Sequence, residues 1–156
     1  MMDQLNFTRN LLKGKIAETI FEQMFRRSGK FDIVLLGYEH TTPELAQYQH
    51  LNHVKHVLDN IRNVPDFALV SQNKESVYLV EVKYRTKFDN LEIKEIAQKI
   101  HDRWNPVWLF VVSPQGFYFD SCSEILGKNG EIKELDWIDK GIQEQYLSLL
   151  KEFENH

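Results

Sequence analysis

A chain of 156 residues has room for one domain with a continuous core and little room for a second. With 42% hydrophobic and 27% charged residues it sits near the average for folded globular chains, which argues against a disordered protein. The net charge of −4 at pH 7 weighs against phosphate attraction by overall charge, and no apolar run approaches the roughly 18–20 residues of a membrane span.

The opening "MMDQLNFTRN" lacks the basic-then-apolar pattern of a secretory signal. The single cysteine, Cys122, can make neither an internal disulfide nor a thiolate-rich zinc site. A cytoplasmic protein is expected. Charge is unevenly spread along the chain. Arg9, Lys13, Lys15, Arg26, Arg27 and Lys30 share their stretch with only Glu18 and Glu22 as acids; Lys83, Arg85 and Lys87 form a second basic cluster; residues 131–154 carry seven acids against three bases.

Residues 8–27 read as a helix. Leu12, Ile16, Ile20 and Met24, with Ala17, Phe21 and Phe25, make a wide apolar face at 3.6-residue spacing, and Ser28-Gly29 is its stop. "FDIVLLGY", residues 31–38, is a short run rich in branched residues and predicts a strand. Thr42 as N-cap, Pro43 at the first helical position and Glu44 beside it start a second helix, which Leu51, Val54, Leu58 and Ile61 carry to about residue 62.

Two strands follow, 66–71 and 77–85, joined by the turn-rich "SQNKES". Residues 89–104 are helical again, with Ile93, Ile96, Ala97 and Ile100 on one side. "PVWLFVVSP" is nearly uninterrupted in apolar character, as a strand in the middle of a covered sheet should be. "GFYFDS" predicts a further strand, "GKNG" at 127–130 a turn, and residues 138–153 a last helix bearing Ile142, Tyr146, Leu149, Leu150 and Phe153. The expected architecture is one α/β domain over residues 1–156, ordered α-β-α-β-β-α-β with smaller elements after it.

The chemistry lies in "PDFALVSQNKESVYLVEVKYR", residues 65–85. Strand side chains alternate, so Glu81 and Lys83 point to one side, about 7 Å apart along the strand. A hairpin with its turn in the intervening segment brings Asp66 back alongside Glu81. Two adjacent carboxylates repel unless a proton or a cation sits between them. They are hard oxygen ligands suited to Mg²⁺ or Mn²⁺, and a neighbouring lysine can orient water or stabilise charge on a phosphate. That combination suits metal-assisted phosphodiester hydrolysis.

Pro65-Asp66, followed after a gap by Glu81-Val82-Lys83, resembles the signature of the PD-(D/E)XK nuclease superfamily, which includes restriction endonucleases and Holliday-junction resolvases. The likeness covers roughly residues 10–115. It implies a restriction endonuclease-like core, a central mixed β-sheet flanked by helices, with the motif on a central hairpin. It also implies that Asp66 and Glu81 hold Mg²⁺ or Mn²⁺ with the Val82 carbonyl, and that Lys83 positions the attacking water. Resolvase-like members add an acid from the first helix, and Glu18, at the edge of the apolar face, matches it. The 42–62 helix is then an insertion, and residues 121–156 a C-terminal extension outside the likeness.

Other signals are weaker. His50, His53 and His56 recur at steps of three, which spreads them over about 120° of a helix and leaves at most two able to share a metal. Gln98 falls with Lys94 and His101 on a polar face. Lys13, Lys15, Arg85 and Lys87 are the candidate nucleic-acid contacts. The resulting expectation is a Mg²⁺-dependent DNA endonuclease working as a homodimer, away from any membrane. The alternative is a nuclease-fold module that binds nucleic acid or a protein without cleaving.

Overall fold

The computed structural model of the protein describes residues 2–36 and 64–154. Its first element, α1 (Met2–Ser28), buries Ala17, Ile20, Phe21, Met24 and Phe25, the face that the 3.6-residue period predicts. The helix begins six residues before the expected start. Residues 4–7 of that extra stretch are exposed, Leu5 and Phe7 among them, so no apolar period marks it. Arg26 and Arg27 offset the partial negative charge of the last turn, and Gly29, at φ +70, takes the left-handed conformation that ends it.

The chain then builds one sheet from β1 (Phe31–Leu35), β2 (Phe67–Ser71), β3 (Val77–Tyr84), β4 (Trp108–Ser113) and β5 (Gly116–Ser121), ordered β1-β2-β3-β4-β5. Neighbours are antiparallel except β3 and β4, which run parallel. The exception follows from α2 (Asn90–Arg103), which carries the chain back along the sheet before β4 begins. Asp89 caps α2 by accepting from the Glu92 N–H at 2.9 Å, a contribution of about 1 kcal/mol. The expected mixed sheet with flanking helices is therefore present. The predicted 42–62 helix, with His50, His53 and His56, lies outside the described residues.

Alternation along the strands gives the sheet two cores. On one face, α1 and the terminal helix α4 (Lys140–Glu154) cover Phe67, Leu69, Val80, Val82, Phe110, Val112, Phe117 and Phe119. Aromatic rings dominate here: Phe21 lies 4.8 Å from Phe67 and 5.0 Å from Phe110 between ring centres. Burying each such ring contributes about 1.5–3 kcal/mol. Trp137 closes this core, meeting Phe31 of β1, Tyr78 of β3, Trp108 of β4 and Phe119 of β5 at 4.9–5.5 Å.

On the other face, α2 and the short α3 (Cys122–Gly127) cover Leu109 and Val111 with Ile93, Ala97, Val107, Cys122 and Ile125. At six residues α3 is too short to show a hydrophobic period, and its one mark in the sequence is the pair Ser121 and Glu124, spaced as a capping box. Its N-cap, Ser121, accepts from the Glu124 N–H at 3.1 Å. The predicted turn at 127–130 follows, and residues 133–135 then pair with β5 through Phe119 N–H to Lys133 O and Leu135 N–H to Phe117 O. Gly130, at φ +99, packs so closely on the start of α2 that a β-carbon there would overlap the Asn90 carbonyl.

Candidate functional site

In the β2–β3 register Phe67 lies opposite Val80 and Ala68 opposite Leu79, so one further step puts Asp66 opposite Glu81. The hairpin thus brings the two acids together as expected. The same step puts Pro65 opposite Val82. Proline has no N–H to give the Val82 carbonyl, so the backbone ladder cannot continue in both directions. The Asp66 side chain takes over part of it, with one carboxylate oxygen accepting from the Val82 N–H at 2.8 Å. Within a strand, a residue's N–H and C=O leave on the same side, so the Val82 carbonyl also points toward the edge where Asp66 sits.

Tyr78, Val80, Val82 and Tyr84 join the aromatic core, whereas Leu79 belongs to the α2 face. Glu81 and Lys83 share the face of Leu79 and line a groove with Arg85 and the α2 residues Ile96, Lys99, Ile100 and Arg103, with Trp104 just beyond the helix. Burial pushes the Glu81 carboxyl from 4.5 up to about 9. The adjacent Asp66 charge and a hydrogen bond with Asp66 act in the same direction. Lys83 opposes them, and Glu18 adds a smaller push upward. Glu18 is thus within electrostatic reach although α1 packs on the opposite face. The four expected residues, Glu18, Asp66, Glu81 and Lys83, form one electrostatic cluster.

Without a cation, this pair is arranged to keep a proton between its two carboxyls. The donor set fits a hard divalent ion held by two carboxylates, with waters or phosphate oxygens completing the shell. It does not offer more than that: among the described residues no group of three or more His, Cys, Asp or Glu side chains is gathered to hold a metal.

Other charged residues near the site have structural roles. Asp120, across from Leu109, which is itself across from Glu81, is buried but satisfied by Lys128 at 2.6 Å and by the Ser121 and Lys133 N–H groups. The Cys122 thiol is pushed up to about 12 by burial, with Glu81 and Asp120 adding to it, so it is unreactive. Glu22 bonds Arg26 within α1 at 2.9 Å, which leaves Glu18 as the α1 acid associated with the site.

The expected nucleic-acid contacts separate into two places. Lys13 and Lys15 line a different groove, between α1 and α4, where Lys13 is 3.9 Å from Glu154 and its ammonium is 5.3 Å from the Tyr84 ring centre. Arg85 stands at the Glu81 groove, tied to Glu92 at 2.9 Å and to the Tyr84 carbonyl at 2.7 Å. Lys87 is exposed beyond it. Gln98 donates to Asp102 at 2.7 Å, as a polar-face residue would.

Three groove residues are not singled out by the sequence: Lys99, Arg103 and Trp104. The signal for the first two is the four-residue step from Lys99 to Arg103 beside Ile96 and Ile100, which places them on one helix edge. No protein-family model matches the chain, and no curated protein matches it.

Proposed function

We propose that the protein is a divalent-metal-dependent phosphodiesterase of PD-(D/E)XK type that cleaves DNA. One observation carries this reading: Asp66 and Glu81 meet at the end of the β2–β3 ladder, on a half-buried face beside Lys83, where burial and mutual repulsion hold Glu81 up to about 9. A protein gains no stability from two facing acids unless something else occupies the site. The element order adds support. A helix, three antiparallel strands, a crossover helix and a parallel strand follow one another as the family core implies.

A bound Mg²⁺ or Mn²⁺ supplies charge neutralisation for the phosphate under attack. Asp66 and Glu81, with the Val82 carbonyl, fix its place. Lys83, on the same face as Glu81, holds a water in line and stabilises the negative charge that develops on phosphate oxygens. Glu18 adds negative charge from α1 and so strengthens cation retention. The Val82 N–H bond keeps the Asp66 carboxylate in one orientation, which is a precondition for a defined coordination geometry.

The decisive experiment is a cleavage assay on linear and branched DNA with Mg²⁺ or Mn²⁺, comparing the wild type with Asp66→Ala. Loss of cleavage in the variant is expected, and full activity would overturn the reading. The overall charge of −4 favours the second reading, a binding module that does not cleave. A homodimer belongs to the first reading. Leu5, Leu12, Leu149 and Phe153 are exposed along the groove between α1 and α4, with Arg9 and Lys13 on one wall and Glu152 and Glu154 on the other. A second copy related by a two-fold axis presents acids to those bases and apolar residues to that strip.

A further inference from the structure

The groove beside Glu81 has a composition that a metal site alone does not require. It holds about 290 Å³ between β3 and the C-terminal half of α2, and its cations come from both walls: Lys83 and Arg85 from the strand side, Lys99 and Arg103 from the helix. Glu81 is the one acid among the lining residues, and the nearby Glu92 is engaged by Arg85. In a chain whose net charge is −4, this is a local concentration of positive charge. Trp104 lines the groove too, just past the end of α2. Its backbone N–H caps α2 by donating to the Ile100 carbonyl at 2.9 Å, its backbone there is extended, and the residue is 36% exposed. The other tryptophans, Trp108 and Trp137, pack against each other at 5.0 Å in the opposite core.

Lys99 and Arg103 are one helical turn apart, about 6 Å along the axis. That spacing suits consecutive phosphates of an extended strand. An indole at the end of such a track offers a stacking surface to a base, and a base can use it only when it is unpaired. Duplex DNA buries both faces of every base within its own stack and is too wide for so small a groove.

We propose that this groove binds single-stranded nucleic acid, with Lys99 and Arg103 on successive phosphates and Trp104 stacked on a base, so that the adjoining phosphate reaches Asp66, Glu81 and Lys83. The inference rests on the proposed function for the last step, because it names the substrate of that same site. Binding itself needs no metal and is tested separately.

The test is fluorescence anisotropy with a short labelled oligothymidylate in the presence of a chelator. The same measurement is made on a duplex of equal length and on an abasic strand that keeps the sugar-phosphate chain. Wild type should prefer the single strand to the duplex by about tenfold or more. Trp104→Ala should lose roughly tenfold on oligothymidylate and little on the abasic strand, as removal of one base–aromatic stack does. Trp104→Phe should recover most of the loss, which separates stacking from misfolding. Lys99→Gln should lower the slope of log affinity against log salt by about 0.7. Quenching of tryptophan emission by the oligonucleotide should disappear in Trp104→Phe.

Equal affinity for duplex and single strand, or a Trp104→Ala variant that binds like wild type, overturns the inference. Metal-dependent cleavage of duplex DNA that Lys99→Gln and Trp104→Ala leave untouched overturns it too, while leaving the proposed function intact. Binding that follows the expected pattern without any cleavage in Mn²⁺ supports the groove and sinks the catalytic reading instead.

Discussion

Asp66 and Glu81 face each other one step beyond the last rung of the β2–β3 hairpin, and the Asp66 carboxylate is fixed there by the Val82 N–H. Glu81, deeper in the sheet, carries the cost of the pairing. Its carboxyl is held up to about 9, so near neutral pH the pair keeps a proton. The arrangement stores unfavourable free energy at one spot of an otherwise apolar sheet.

Stability should fall as pH rises through the range that separates the two states of Glu81. Below about pH 4.5 the carboxyl is protonated whether the chain is folded or not. Above that, the unfolded chain ionises while the folded one holds its proton until about pH 9, so stability present in acid is lost progressively across this window. Glu81→Gln removes the titration. It should raise the melting temperature at pH 8 by an amount equivalent to about 1–3 kcal/mol, with the difference vanishing near pH 4. Thermal melts across pH check this; identical melting temperatures at pH 8 would contradict it.

Cation binding should expel the shared proton. Calorimetric titration of Mn²⁺ at neutral pH in two buffers of different ionisation enthalpy should show release of about one proton. Apparent affinity should climb as pH rises toward 9 and should be lost in Asp66→Ala. Heats independent of the buffer would show that Glu81 is already ionised.

Lys83→Met should separate binding from chemistry. Cleavage should drop by roughly a hundredfold or more, because the lysine acts on water and on developing charge. Mn²⁺ binding should survive, since no ligand is removed. Loss of both together would mean that Lys83 maintains the site rather than acting in it.

The two glycines at 14 and 130 should respond oppositely to alanine. Gly130→Ala forces a β-carbon onto the Asn90 carbonyl at a positive φ and should cost roughly 2–4 kcal/mol. Gly14 lies inside α1, where an added β-carbon would meet nothing within 4 Å. Its replacement by alanine should instead gain about 0.5–1 kcal/mol. Denaturant midpoints of the two variants decide the matter.

The exposed strip on α1 and α4 should mediate self-association. Sedimentation should give a dimer for the wild type and a monomer for Leu12→Glu, with no change in far-ultraviolet circular dichroism. A wild-type protein that sediments as an active monomer would remove the dimer from the proposal.

Much of the fold is legible in the chain. The α1 face from Ala17 to Phe25, the alternation in β3 and the near-continuous apolar run of β4 each follow a period that burial imposes. The pairing of Asp66 with Glu81 follows from a short turn between two strands. Features without a period leave no such trace. Residues 4–12 of α1 are exposed, α3 is a single capped helical turn and a half, and Trp104 looks in sequence like any other core-edge aromatic. The role of Pro65 shows only once the register puts it opposite Val82. Lys99 and Arg103 read as ordinary surface cations until the strand brings Lys83 and Arg85 up to them.

Trp137 touches four of the five described strands, yet it follows each of them in sequence. A growing polypeptide that has just emitted β5 possesses every described strand, and α1 to lie on their aromatic face, but still lacks the ring that joins β1, β3, β4 and β5. The aromatic core is therefore completed by a residue that comes after every strand it joins. A chain cut short ahead of residue 137 should expose Phe31, Tyr78, Trp108 and Phe119 where Trp137 would meet them, an aromatic patch open to self-association.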